Sequence, residues 1–280
     1  MQGAQQTLAV IFSSMCTIAI LLEVVTGAPL VVAANRDELY ARPTRPPERF
    51  GDGSAGGVDV ISGGTWLAVR RDGRFAAVTN QRVLAPAPVG LRSRGLAVRE
   101  LAASGDPDRY VAALDPADYA SMNLVWGDAR GAQVAYLRRE GVLDVDGRGL
   151  PSTGSAAEGR RGWIELLPPG IHVLCNDRLG AAGFPRGARL HDAIARAPLA
   201  WPAVVPALEA ALGDHTHVEP DPSPLAPELA RALTATCIHS PHYGTRSSTI
   251  FAAGAAGALA YLHADGPPCT TAFHDRQELL

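Results

Sequence analysis

Residues 15–38, MCTIAILLEVVTGAPLVVAANRDE, restrict this chain to few folds. Ile18, Ile20 and Leu22 alternate with their neighbours in an apolar, β-rich run that Val24 and Val25 continue. Gly27 and Pro29 mark a turn, and a second short apolar run occupies 30–32. The pattern predicts a buried hairpin with Cys16 at its start and Asn35, Arg36, Asp37 and Glu38 just past its second strand. Unpaired polar groups in an interior are costly. The stretch therefore implies either an ion pair at a sheet edge or a polar site beside the thiol.

The rest of the chain fits strands around a helical middle. Residues 41–50, ARPTRPPERF, read as a stiff exposed loop, and 51–57 as a mobile flap. The segment ISGGTWLAVRRDGRFAAVTN is the strongest hairpin, turning at Asp72-Gly73 and ending on Asn80. Leu91, Leu96, Val98 and Leu101 lie near helical spacing, and a second short helix is expected over 107–114. Two hairpin strands follow in NLVWGD and AQVAYLRR, then PPGIHVLCND, another strand reaching Asn176-Asp177. Between 184 and 233 the periodicity is helical, and the end returns to strands in RSSTIFAAG, GALAYLHADG and CTTAFHD. Strands, then helices, then strands imply one α+β domain over 16–280 and exclude a doubly wound sheet.

A net charge of −3 with no basic stripe excludes a nucleic-acid footprint. All 25 basic residues are arginines. Cys16, Cys175, Cys237 and Cys269 form no CxxC pair, so a reducing cytoplasm is the expected setting. His215 with His217, and His239 with His242, each offer two metal ligands, but neither pair has a cysteine or carboxylate at usual spacing. The reading expects neither a metal nor a resident cofactor. Trp66, Trp126, Trp163 and Trp201 are expected in the core or a pocket wall. Arg42, Arg45 and Arg49 are expected on a solvated loop.

Residues 1–14 precede the organising stretch, and an apolar run from Leu8 to Leu22 invites a membrane reading. Its leading part has no Lys or Arg, no cleavage motif follows, and Glu23 ends the run before the ~20 residues a span needs. No stable membrane insertion is expected. Met15 is expected as the working start, with a short removed pro-segment as the competitor. Both expose Cys16 as the first residue, carrying a thiol and a free α-amine. Those groups titrate at about 8.5 and about 7.7–8.0 in model peptides, so a proton moves between them at little cost. Arg36 or Arg246 nearby would favour the thiolate. Asn80 and Asn176 are candidate oxyanion donors, and Asp37 a holder of the amine. The bland reading makes Cys16 a buried strand residue and the asparagines strand-end caps.

MCTIAI, AANRDELYARPTRPPERF, GGTWLAV, GRFAAVTNQR, SRG, GIHVLCND and YGTRSST, in that order, resemble the NRDE family, also called transport and Golgi organisation 2-like. The resemblance spans 16 to about 263 and implies the N-terminal nucleophile hydrolase fold, a four-layer αββα sandwich. The bile salt hydrolase and penicillin V acylase group is similar in layout. By that resemblance Cys16, Arg36, Asp37, Asn80, Asn176 and Arg246 occupy catalytic places, although the Arg and Asp are adjacent here and spaced apart in the acylases. The implied function is a cysteine amidohydrolase that cleaves a non-peptide C–N bond in a small amide through a thioester. The alternative is a non-enzymatic protein that carries haem or an acyl lipid, with haem as cargo.

Overall fold

The computed structural model describes residues 16–82, 88–139, 162–181, 183–222 and 225–280. Residues 1–15 and the side chain of Trp163 lie outside the described residues, and with them the expectations about the leading segment and that tryptophan.

Among the described residues, thirteen strands form two antiparallel sheets. The first runs β10 (Gly170–Leu174), β1 (Thr17–Leu22), β2 (Leu30–Leu39), β11 (Tyr243–Gly254), β12 (Gly257–Ala264) and β13 (His274–Asp275). The second runs in chain order through β3 (Thr44–Arg49), β4 (Ser54–Asp59), β5 (Leu67–Arg70), β6 (Phe75–Asn80), β7 (Met122–Asp128), β8 (Gly131–Leu137) and β9 (Gly162–Leu166).

Alternation of side chains decides what each face meets. Ile18, Ile20, Leu30, Val32 and Phe251 of the first sheet join Leu67, Val69, Phe75, Val125 and Val134 of the second in a core between the sheets. The odd-numbered Ala19, Leu21, Val31 and Ala33 point the other way. They pack on Leu190 and Ile194 of α3 (Pro185–Ala195) and Leu208 and Leu212 of α4 (Val205–Leu212). On the outer face of the second sheet, Ala76, Val78, Leu124 and Trp126 meet Val98 and Leu101 of α1 (Arg94–Ala103) and Val111 of α2 (Pro107–Ala112). A fifth helix, α5 (Pro227–Ala232), precedes β11. The layers run helix, sheet, sheet, helix: the expected αββα sandwich.

Three local expectations are corrected. ARPTRPPERF is not a loop, because 44–49 form the edge strand β3. Pro46 and Pro47 are accommodated at a register shift between Arg45 and Glu48, where an edge strand tolerates a missing donor. Residues 54–57 of the expected flap belong to β4, whose six residues are all buried. Gly57 is needed there because the Trp66 ring lies where a side chain would start, 2.2 Å from an added Cβ. Finally, β2 does not stop before the polar cluster. It runs through Asn35, Arg36, Asp37 and Glu38, all buried, so the four alternate between the two faces of a central strand.

Candidate functional site

The register puts Cys16 between two partners. Thr17 pairs with Asn35 on β2, and Ile18 pairs with Leu174 on β10. Carried back to Cys16, the same registers bring Arg36 to one side and Asn176 to the other. By the alternation of β1 and β2, Cys16, Arg36 and Glu38 share the face between the sheets. Thr17, Asn35 and Asp37 share the face toward α3 and α4.

On the inter-sheet face, Arg36 is buried with Trp66 stacked on its guanidinium, 4.2 Å from ring centroid to Cζ. Its Nη1 donates to Thr44 Oγ1 at 2.8 Å, and its Nη2 lies 3.4 Å from Asp59 and 3.8 Å from Glu38. Arg42 also pairs with Asp59 and lies 3.7 Å from Glu38. Burial works to raise Asp59, but hydrogen bonds from Arg42 and Ser62 outweigh it and hold the carboxyl below its ordinary range. Arg94 completes the group. Burial pushes its guanidinium down to about 10, against the pull of Glu38 and of the Cys16 sulfur. Burial likewise lowers Arg36, with Glu38, Cys16 and Asp59 acting in the opposite sense. Arg94 therefore remains charged near neutrality, and the Cys16 sulfur lies in the field of both guanidiniums. Three guanidiniums face two carboxylates here, and a thiolate at Cys16 would even the count.

Arg94 is placed by backbone contact. Ser93 caps α1 by accepting from the Leu96 N–H, and Arg94 is the first helical residue. Gly95 comes so close to Gly64 that an added Cβ on Gly64 would sit 2.4 Å from the Gly95 backbone. The Thr65 N–H donates to the Gly95 carbonyl at 3.0 Å. The glycines of GGTW and SRG thus dock two segments whose neighbours, Trp66 and Arg94, both serve the Cys16 cluster.

The opposite face holds hydrogen bonds in place of ion pairs. Asn35 Nδ2 donates to the Leu212 and Thr236 carbonyls at 2.9 Å each. Thr245 Oγ1 donates to Asp37 Oδ1 at 2.6 Å and accepts from the Ile238 N–H at 2.9 Å. Burial pushes the Asp37 carboxyl up to about 7, with Arg186, the Thr245 hydrogen bond and Arg36 pulling the other way. Arg186 of α3 is itself buried. It donates to Thr17 Oγ1 at 3.0 Å, to the Leu233 carbonyl at 2.7 Å and to Asn176 Oδ1 at 2.8 Å.

Asn80 and Asn176 meet where β6 and β10 end. Asn176 Nδ2 donates to the Asn80 carbonyl at 2.8 Å, and the Arg82 N–H donates to the Asn176 carbonyl at 2.7 Å. The two sheets are stitched together at this rim, with Cys16 beside it. Cys16, Arg36 and Asn176 are thus brought together, Asn80 is joined to Asn176 through its backbone carbonyl, and Asp37 lies behind them on the other face. Arg246 lies at the bulge between Thr245 and Ser247, where it donates to the Tyr40 carbonyl at 2.6 Å and faces the Tyr40 ring. Both of these contacts are to Tyr40. Ser247, opposite Arg36 in register, has a buried Oγ with no hydrogen-bond partner. A surface depression of about 710 Å³ lined by Arg74, Asp108, Trp126 and Gln133 lies near α2, away from this cluster.

The residue-level reading missed Arg94, Arg186 and the stacking role of Trp66. SRG carried a signal for Arg94, as a motif with no chemistry attached. GFPRGARL carried none for Arg186. No helix among the described residues is long and apolar enough to cross a membrane.

The sequence profile of the family "Transport and Golgi organisation 2" matches residues 15–264, and the chain belongs to that family. The chain is 29% identical to the Transport and Golgi organization protein 2 homolog of Bos taurus over 256 residues, covering 83% of this chain and 84% of that protein. The Homo sapiens homolog matches at the same identity and coverage, and the Mus musculus homolog at 27% over 260 residues. Among solved structures, the chain is similar to the Caenorhabditis elegans N-acylethanolamine-hydrolyzing acid amidase ortholog, with a TM-score of 0.47 and 10% identity, covering 84% of this chain and 92% of that one.

Proposed function

We propose, starting from membership of the Transport and Golgi organisation 2 family, that this protein is a cysteine amidohydrolase with Cys16 as its terminal nucleophile. Its substrate is a small non-peptide amide. The observation that carries the reading is the Cys16 sulfur held in the field of Arg36 and Arg94 beside two carboxylates. Such an electropositive enclosure marks a nucleophilic thiol, where a structural one sits among apolar groups.

With residues 1–15 removed, the α-amine takes the thiol proton and the thiolate attacks the amide carbonyl. The C–S bond forms and the carbonyl π electrons move to oxygen. In this reading an amide N–H of Asn80 or Asn176 donates to that oxyanion, a contribution of about 3–4 kcal/mol per donor. Collapse breaks the C–N bond, and the ammonium proton goes to the leaving nitrogen. Water, deprotonated by the same amine, then cleaves the thioester to an acid and restores the thiol. In the antiparallel β1–β2 pair the chain runs from Thr17 back through Cys16 in the direction of Arg36 and Asp37, so a free amine on Cys16 would lie on the Asp37 side. The family match beginning at Met15 is in keeping with this arrangement.

The chain has no lysine, so an amine-directed acylating reagent has only the terminus to label. On protein made in its own host, peptide mapping should find that label on Cys16. A label on residue 1 or 2 leaves Cys16 with an amide nitrogen and no base, and the reading moves to carriage of haem or an acyl lipid. On labelled-at-Cys16 material, Cys16→Ala should lower amide turnover about 10³-fold or more. Turnover untouched by that substitution for every amide tested ends the hydrolase reading.

A further inference from the structure

A second group of reactive side chains lies outside the Cys16 cluster. His215 follows α4, Cys237 and His239 lie between α5 and β11, and Cys269 lies between β12 and β13. One donor atom from each falls within 4.8 Å of all the others. We propose that these four residues form a tetrahedral zinc site.

The distances carry the argument. Zinc binds thiolate sulfur at about 2.3 Å and imidazole nitrogen at about 2.0–2.1 Å, so tetrahedral edges measure about 3.8 Å between sulfurs and about 3.5 Å from sulfur to nitrogen. Cys237 and Cys269 Sγ are 3.7 Å apart. His239 Nε2 lies 3.7 Å from Cys237 Sγ and 3.3 Å from Cys269 Sγ. Three of the donors thus already stand at the edge lengths of a zinc tetrahedron. The fourth ligand, His215, places Nδ1 3.1 Å from the Cys237 carbonyl. A carbonyl only accepts, so Nδ1 carries the proton and Nε2 keeps the lone pair a metal needs. That backbone hydrogen bond is the outer support that metal-bound histidines usually have.

Two thiolates and two neutral imidazoles select zinc among common divalent ions and leave the bound site uncharged. Binding releases two thiol protons to solvent. The loops are pre-positioned for it. The Cys237 N–H donates to the Asp214 carbonyl at 2.9 Å, next to His215. Asn35 ties Leu212 and Thr236, three residues before His215 and one before Cys237. The Cys269 backbone packs against Gly213 next to Asp214, 3.6 Å from where a Cβ would stand. Local spacing hid the site, because its histidines pair across loops and not within the 215–217 or 239–242 segments.

The test uses the full chain, reduced, stripped with a chelator and titrated anaerobically with Co²⁺. The expected result is one equivalent of tetrahedral cobalt with thiolate charge-transfer bands, which Zn²⁺ then bleaches. Cys269→Ser and His239→Ala, both at exposed positions, should each weaken Zn²⁺ binding at least about 100-fold, beyond the 10–100-fold that loss of an outer partner costs. His217→Ala should bind as the wild type does. A featureless cobalt spectrum overturns the site. So do bands and an affinity left unchanged by Cys269→Ser, or a mass two hydrogens short that maps to a Cys237–Cys269 disulfide in protein kept free of oxidants.

Discussion

The two faces of β2 carry the same four-residue motif to opposite ends. Toward the second sheet, Arg36 and Glu38 join Asp59, Arg42 and Arg94 in a charged enclosure around the Cys16 sulfur. Toward the helices, Asn35 and Asp37 hold the backbone of the 236–238 segment through hydrogen bonds, directly and through Thr245. One face tunes a sulfur atom and the other fastens a loop. A single strand can do both only because its side chains alternate, and the lesson is that NRDE is two motifs interleaved.

That division can be broken by substitution. The largest stability effect is expected from Asn35→Ala, which leaves two buried carbonyls and Ser248 Oγ without their partner. A loss of about 3 kcal/mol or more should appear in urea unfolding, at about 1–3 kcal/mol for each of the three orphaned groups. The folded variant should still alkylate Cys16 at the wild-type rate, and a dead thiol would merge the two faces.

Arg94→Met reports the converse. It removes one guanidinium from the sulfur, so Cys16 alkylation by iodoacetamide at pH 7 should fall about tenfold, the equivalent of one pKa unit. Unfolding should shift by less than about 1 kcal/mol, because among the described residues no carboxylate lies within ion-pair distance of Arg94 and its helix keeps the Ser93 cap. Unchanged alkylation would remove Arg94 from the thiol's environment.

Asp37 gives a pH signature. Its folded pKa of about 7 lies above the ordinary 3.8, so the native state holds a proton that the unfolded state releases. Stability from this group is present at low pH and lost as pH rises from about 4 through about 7. His263 does the opposite. Burial and Arg276 lower it to about 4, so stability grows as pH rises from about 4 to its ordinary 6.5. The two slopes oppose each other in the wild type. Asp37→Asn should make the urea midpoint climb more steeply over pH 4–6.5, and an unchanged climb would show that Asp37 stays ionised.

The smallest effect is expected from Arg246→Ala. Its partner is the partly exposed Tyr40, so stability should move by no more than about 0.5 kcal/mol and Cys16 alkylation not at all. A large loss of alkylation would extend the charged face across the β11 bulge to Arg246.

Much of the sandwich was legible. The 5–6 hairpin announced itself through alternation and Asp72-Gly73, and Gly73 indeed adopts a φ of +89°. The αββα layering followed from an ordered set of motifs. What misled was the premise that charged residues end a strand: Arg36 to Glu38 remain in β2 because every one of them finds a partner inside. Pro46 and Pro47 misled in the same way, since loops and edge strands both tolerate proline. Arg186 was invisible because its three partners come from β1, the end of β10 and the segment after α5. The His215–Cys269 group was hidden by distance along the chain.

The prolines of β3 also bear on how these molecules meet each other. A sheet border with free N–H and C=O groups invites a strand from another molecule, the first step toward uncontrolled polymer growth. At one border of the seven-stranded sheet, Pro46 and Pro47 withhold two donors and the register shift bends the ladder. At one border of the six-stranded sheet, β13 offers only two residues. A newly made chain in a crowded cell thus meets two blunted borders where it would otherwise find templates for growth.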